Sequence, residues 1–239
     1  MSVMDMHPRV DTDVWRRAVV RRVLRPGDGA VALRLAVDGW TWHRPGEYVR
    51  LRLDTATGPV VTRRFGIVSA PHDTSVELFV DRDENDDMSA YMRESLQPGC
   101  VVEMSCPLGV ESSWDGMTRT LGIGEGAGLA PLVSMLRLAR HTWSAHRVHL
   151  VVSCPTYAAI PYADELDDRR TRLVLHHEVS AEGRPAGAVA GDDLAPLVVD
   201  PELFLVCGTA EFVESTSSLL ASLGVPGRRI RTQRFDPIT

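Results

Sequence analysis

The 239-residue chain is 44% hydrophobic, enough to bury one large core or two modest ones. Its formal net charge of −6 disfavours nonspecific binding to nucleic acid, and all 26 basic residues are arginine, which excludes a Schiff-base lysine and a phosphate-loop lysine. The apolar runs fall short of a membrane span, and the opening MSVMDMHPRVDTDVW has no basic region followed by an apolar core, so no membrane partner and a cytoplasmic setting are expected.

Residues 1–13 read as a polar arm without periodicity. From Trp15 the pattern becomes strand-like: WRRAVVRRVL, AVALRLAV, EYVRLRL, VVTRRFGIVSA and VELFVDR, separated by turn signals such as Pro26–Gly29 and Pro45–Gly46. A helical segment is predicted from Met88 to Leu96, and Pro98–Gly99 introduces one more strand, CVVEMSC. Close spacing of six short strands predicts a small antiparallel barrel over residues 14–106. Residues 107–117 read as a linker. Beyond it strands and helices alternate: TLGIG, a helix Pro131 to His141, RVHLVVS, a helix Ala163 to Arg169, RLVLHHEV, FLVCG, a helix Glu211 to Leu223, and RIRTQRF. That alternation predicts a doubly wound parallel sheet over residues 118–239, so the fold class is all-β plus α/β.

The second half is organised around Leu121 to Arg140, where an apolar run meets Gly122, Gly124, Gly126 and Gly128 and then apolar residues at helical spacing. Such a strand–turn–helix junction receives phosphates, because unbonded N–H groups and the helix dipole point at the turn and glycine allows close approach. Glu125 opposes this, since a carboxylate in the loop repels a phosphate. The cysteines Cys100, Cys106, Cys154 and Cys207 show no CxxC pair, so no iron–sulfur or structural metal site is expected. His176 and His177 are adjacent on a predicted strand and face opposite ways, unsuited to sharing one ion.

Four segments in order, RRFGIVSAP, GEGAGLAP, CGTAEF and RIRTQRF, make the chain similar to the ferredoxin–NADP reductase superfamily, and most of all to its compact two-domain flavin reductases without an iron–sulfur domain. The resemblance implies an FAD-binding barrel. Arg63 takes the place of the arginine that holds the FAD pyrophosphate, Phe65 that of the aromatic packed on the isoalloxazine, and Gly66 that of a serine beside flavin N5. Arg82, Met88 and Ser89 fall at the phosphate-facing helix start, Tyr48 at a barrel position near the flavin, and Phe235 at an aromatic near the cleft. Tyr48 reads equally well as a half-buried strand tyrosine.

For NAD(P)H the resemblance implies an altered site. Gly124, Glu125, Gly126, Cys207 and Gly208 mark the family's nicotinamide pocket, but Glu125 and Ala127 replace small hydroxylated residues, and Pro155, Ala163 and Ala188 stand where basic residues are expected. Each lost arginine removes about 1.5–3 kcal/mol of phosphate contact, so tight NAD(P)H binding is not expected. Cys207 reads equally as a small buried strand residue, and Gln233 replaces a glutamate. The expectation drawn from this pattern is an FAD flavoenzyme holding an apolar, polyketide-like small molecule in the interdomain cleft for a redox-neutral cyclisation. The alternatives are a conventional NAD(P)H-dependent reductase serving an oxygenase, a ferredoxin or a small acceptor, and a flavin-binding module without turnover.

Overall fold

A computed structural model describes residues 14–27, 30–40, 42–53, 61–81, 87–154, 156–167, 169–175 and 189–235. Its first sheet is built from β1 (Trp15–Leu24), β2 (Val31–Val37), β3 (Tyr48–Leu53), β4 (Val61–Gly66), β5 (Val76–Val80) and β6 (Val101–Ser105), with α1 (Asp87–Glu94) between the last two. The strands run antiparallel in the order β4-β3-β6-β1-β2-β5, and an isolated bridge from Ile67 to Leu78 joins the two edges. Alternation decides which side chains fill the barrel. Ala18, Val20, Leu33, Leu35, Val49, Leu51 and Met104 turn inward, and Met92 and Leu96, on and just beyond α1, close the same core.

The second sheet contains β7 (Thr120–Glu125), β8 (Val148–Cys154), β9 (Thr171–Leu175), β10 (Leu203–Gly208) and β11 (Ile230–Arg234), all parallel, in the order β11-β10-β7-β8-β9. Its helices are α2 (Leu129–His141), α3 (Ala163–Leu166), α4 (Gly191–Leu194) and α5 (Ala210–Ser222). The central strands β7 and β10 are covered on both faces and accordingly carry nearly continuous apolar runs, LGIG and LFLVCG. The helix expected over Ala163 to Arg169 stops at Leu166, and the short α4 is an addition that the periodicity did not signal.

The barrel and the sheet share a core. Ala30, Val68 and Phe79 from the barrel join Leu132, Val133, Leu136, Leu150 and Leu205 in one cluster. The first eight residues of α2 are therefore all buried and, Ser134 apart, apolar, because one side faces its own sheet and the other faces the barrel. The segment expected as a linker is packed as well. Trp114 is 1% exposed, its backbone N–H donates to Pro45 O, and its indole N–H donates to Thr118 O. No helix is long and apolar enough to cross a membrane among the described residues.

Candidate functional site

The β3–β4 register sorts the barrel residues singled out in the sequence. Arg63 lies opposite Leu51 and Phe65 opposite Val49, on the inward side, whereas Arg64 lies opposite Arg50 and Gly66 opposite Tyr48, on the outer side. Phe65 was expected to present an aromatic face to a cofactor. Its ring instead belongs to the barrel core, because strand alternation places it beside Val49 and Ile67. Tyr48 stands between the Arg64 guanidinium, 5.3 Å from its ring centre, and Gly109, where a Cβ would come within 2.7 Å of the ring. Met88 and Ser89 lie in the first turn of α1, and Arg82 lies outside the described residues, as do Pro155, Ala188 and the pair His176 and His177.

Gly66 is where barrel and sheet meet. A Cβ there would fall 2.7 Å from Ala130 Cβ and 3.3 Å from both Pro131 Cδ and the Phe235 ring. Loss of the side chain thus lets β4 close directly on the start of α2. The glycine turn behind it is as tight: a Cβ on Gly128 would overlap the Cys207 carbonyl, and one on Gly124 would lie 3.1 Å from Gly128 O. Gly124, Gly126, Gly128, Cys207 and Gly208 are therefore brought together at the carboxyl edge of the sheet.

Glu125 does not project into the turn. Its Oε1 accepts a 2.7 Å hydrogen bond from Thr209 Oγ1, and Thr209 is the residue that caps α5 by accepting from Phe212 N–H. The carboxylate thus sits at the positive end of α5, which offsets part of the repulsion expected from the sequence. Burial raises its pKa above the ordinary carboxyl value, hydrogen bonds from Thr209 oppose that rise, and the charges of Asp81 and Glu211 reinforce it. Cys207 is fully buried, and burial pushes its thiol well up, so no thiolate is available near neutral pH. Cys154 is pushed up to about 12 by burial and by Asp81 and Glu125.

Gln233 is the group that the motifs understated. It pairs with Cys207 across β10–β11 and so shares the α2-facing side of the sheet, it is 6% exposed, and neither amide atom has a hydrogen-bond partner among the described residues. Next to it the Val110–Ser113 segment crosses β11, through Ser112 Oγ to Thr232 O at 3.5 Å and Arg231 to Ser113 O at 2.9 Å. A buried amide with an open donor and an open acceptor is costly unless a ligand or water completes it. An amide of this kind suits a ligand edge that offers a donor and an acceptor side by side.

Residues 33–112 match the family model of the oxidoreductase FAD-binding domain. The whole described architecture is similar to the flavohem-like FAD/NAD-binding domain of a nitric oxide dioxygenase from Vibrio cholerae, with a TM-score of 0.77 at 20% identity over 93% of this chain and 99% of that one. The fold is ferredoxin–NADP reductase-like, an antiparallel barrel followed by a parallel α/β sheet. Another structure with this fold, a ferredoxin NADP+ reductase from Neisseria gonorrhoeae with bound FAD and NADP, gives a TM-score of 0.71 at 17% identity, covering 93% and 99% of the two chains. Among curated proteins, the ferredoxin reductase component of a 3-ketosteroid-9-alpha-monooxygenase from Rhodococcus rhodochrous is 26% identical over 82% of this chain and 57% of its own length. The chain thus spans little more than half the length of the curated relatives it matches.

Proposed function

We propose that the chain is the reductase module of an electron-transfer system: it holds FAD on its barrel, takes reducing equivalents from NAD(P)H at the carboxyl edge of the sheet, and passes electrons to a protein partner such as an oxygenase component. The observation that carries this reading is the coincidence of the FAD-binding family match, residues 33–112, with the strand whose end, Gly66, touches the start of the helix behind the glycine turn. Bound FAD would supply the conversion of a two-electron donor into one-electron steps. The chain's own residues do the rest. Arg63 offers a guanidinium for the pyrophosphate, the Gly124–Gly128 turn receives the nucleotide, Phe235 covers the Gly66 face, and Gln233 offers an uncharged donor–acceptor pair.

The cyclisation expected from the altered glycine loop finds no support in the relatives, several of which are reductase components of oxygenase systems. The placement of Glu125 against Thr209 weakens the physical objection to a nucleotide, because the carboxylate is hydrogen-bonded at the start of α5. The test is the absorbance spectrum of the purified protein followed by anaerobic addition of NADH and NADPH. Bleaching of a flavin band by either nucleotide is expected; a yellow protein indifferent to both would overturn the reading. Arg63→Ala should weaken FAD binding roughly tenfold or more, the value of one charge-assisted phosphate contact.

A further inference from the structure

The seam between barrel and sheet contains one fully used cation. Arg137, on α2, donates from Nε to Glu165 Oε2 at 2.9 Å and from Nη2 to Glu165 Oε1 at 2.7 Å, a two-pronged grip on α3. From Nη1 and Nη2 it donates to Glu77 Oε1 on β5, both at 3.2 Å, and from Nη1 it reaches the Val68 carbonyl at 3.3 Å. A guanidinium has five N–H donors, and these five contacts use all of them. One turn earlier on α2, the fully buried Ser134 donates to the Ser69 carbonyl at 2.7 Å, which also accepts from His43 Nε2 at 2.9 Å. Val68 and Ser69 lie two and three residues beyond Gly66, so two side chains of α2 hold the backbone that leads out of β4.

We propose that Arg137, assisted by Ser134, is a positioning residue that fixes the Gly66 end of the cofactor-bearing strand against the start of α2, and so sets the approach of barrel-bound FAD to a nucleotide on the glycine turn. The proposal rests on the reductase reading for the identity of what is being positioned, but not for the mechanical claim. Arginine is required by the fork: lysine keeps the charge yet brings three donors on a single atom and cannot bridge Glu77, Glu165 and Val68 O in this geometry. The Arg137 guanidinium charge itself is secure, because the Glu165 and Glu77 carboxylates raise its pKa against the effect of burial.

The experiment compares the full-length protein with Arg137→Lys and Arg137→Met. Two quantities are read: the rate of flavin reduction at saturating NADH or NADPH per FAD-bound molecule, alongside both dissociation constants, and hydrogen exchange at the amides of Ile67 to Ala70. The expected result is at least a tenfold fall in reduction rate with FAD and nucleotide affinities within about twofold, smaller in Lys than in Met, and at least tenfold faster exchange at Ile67 to Ala70 with β1 and β2 unchanged. An unchanged rate per FAD-bound molecule, even with a lowered melting temperature, overturns the proposal. If neither nucleotide reduces the wild-type protein, the reductase reading has failed instead, and exchange alone decides: unaltered protection at Ile67 to Ala70 in both variants overturns the positioning role, and selective loss of protection there supports it.

Discussion

Two buried polar side chains lie in the same seam and have opposite fates. Glu77, 2% exposed, receives Arg34 at 2.6 Å and Arg137 at 3.2 Å, whereas Gln233, 6% exposed, has no partner for either amide atom among the described residues. The first belongs to the side of the seam formed by β5, α2 and α3, and the second to the side formed by β10, β11 and the Val110–Ser113 segment. One side is a finished structural joint. The other is left open where chemistry is expected, in keeping with the general rule that unsatisfied buried groups mark functional places.

The sharpest way to break the comparison is to remove the acid at the joint. Glu77→Ala takes one of its two carboxylates from Arg137 and the partner from the 38% exposed Arg34, and loss of hydrogen bonds to a charged group costs about 1.5–3 kcal/mol. A urea unfolding midpoint should show that loss, and a cost near zero would mean the joint carries no stability. A smaller effect of opposite sign is expected at the open side. Gln233→Met keeps the volume and removes two unpaired atoms, so the ligand-free protein should gain about 1 kcal/mol while its affinity for FAD or nucleotide falls. Destabilisation of the ligand-free protein by this change would show that the amide is already satisfied, and the contrast would disappear.

The smallest effect concerns pH. His43 is 1% exposed and donates from Nε2 to Ser69 O, leaving Nδ1 without a partner among the described residues. Burial lowers its pKa below the usual 6.5, opposed by that backbone contact and by Asp73. In the window just below 6.5 the unfolded chain therefore binds the proton and the folded chain does not, so stability rises with pH there and is lost as pH falls. Unfolding midpoints taken between about pH 5 and pH 7 should show this slope. A His43→Gln variant should flatten it; an equal slope in the variant would assign the effect to other groups.

Much of this architecture was legible in the chain. The six closely spaced strands, the linking of an apolar run to a glycine cluster, and the switch to alternating strands and helices each follow from local periodicity, and the barrel, the turn and the parallel sheet came out where the pattern placed them. Long-range pairing left no such trace. Glu77 and Arg137 are sixty positions apart, and nothing in VELFV or SMLRLAR announces that the two are partners. Glu125 was legible as a charge but not in its direction, which depends on Thr209, brought beside it only when β10 pairs with β7. Phe65 shows the same limit at the scale of one residue. The motif supplies the aromatic, but strand register decides which side of the barrel receives it.

Helix α2 carries both the contact at Gly66 and the grip on the joint, and this makes it a lever arm. Ala130 and Arg137 are seven residues apart, about 10 Å along the axis at 1.5 Å per residue. A tilt of roughly six degrees about the Arg137 end therefore moves the Ala130 end by about 1 Å, and in a reacting site an error of that size is worth about a hundredfold in rate. The tolerance of the chemistry at one end of the rod is in this way written into the angular stiffness of a salt-bridged knot at the other.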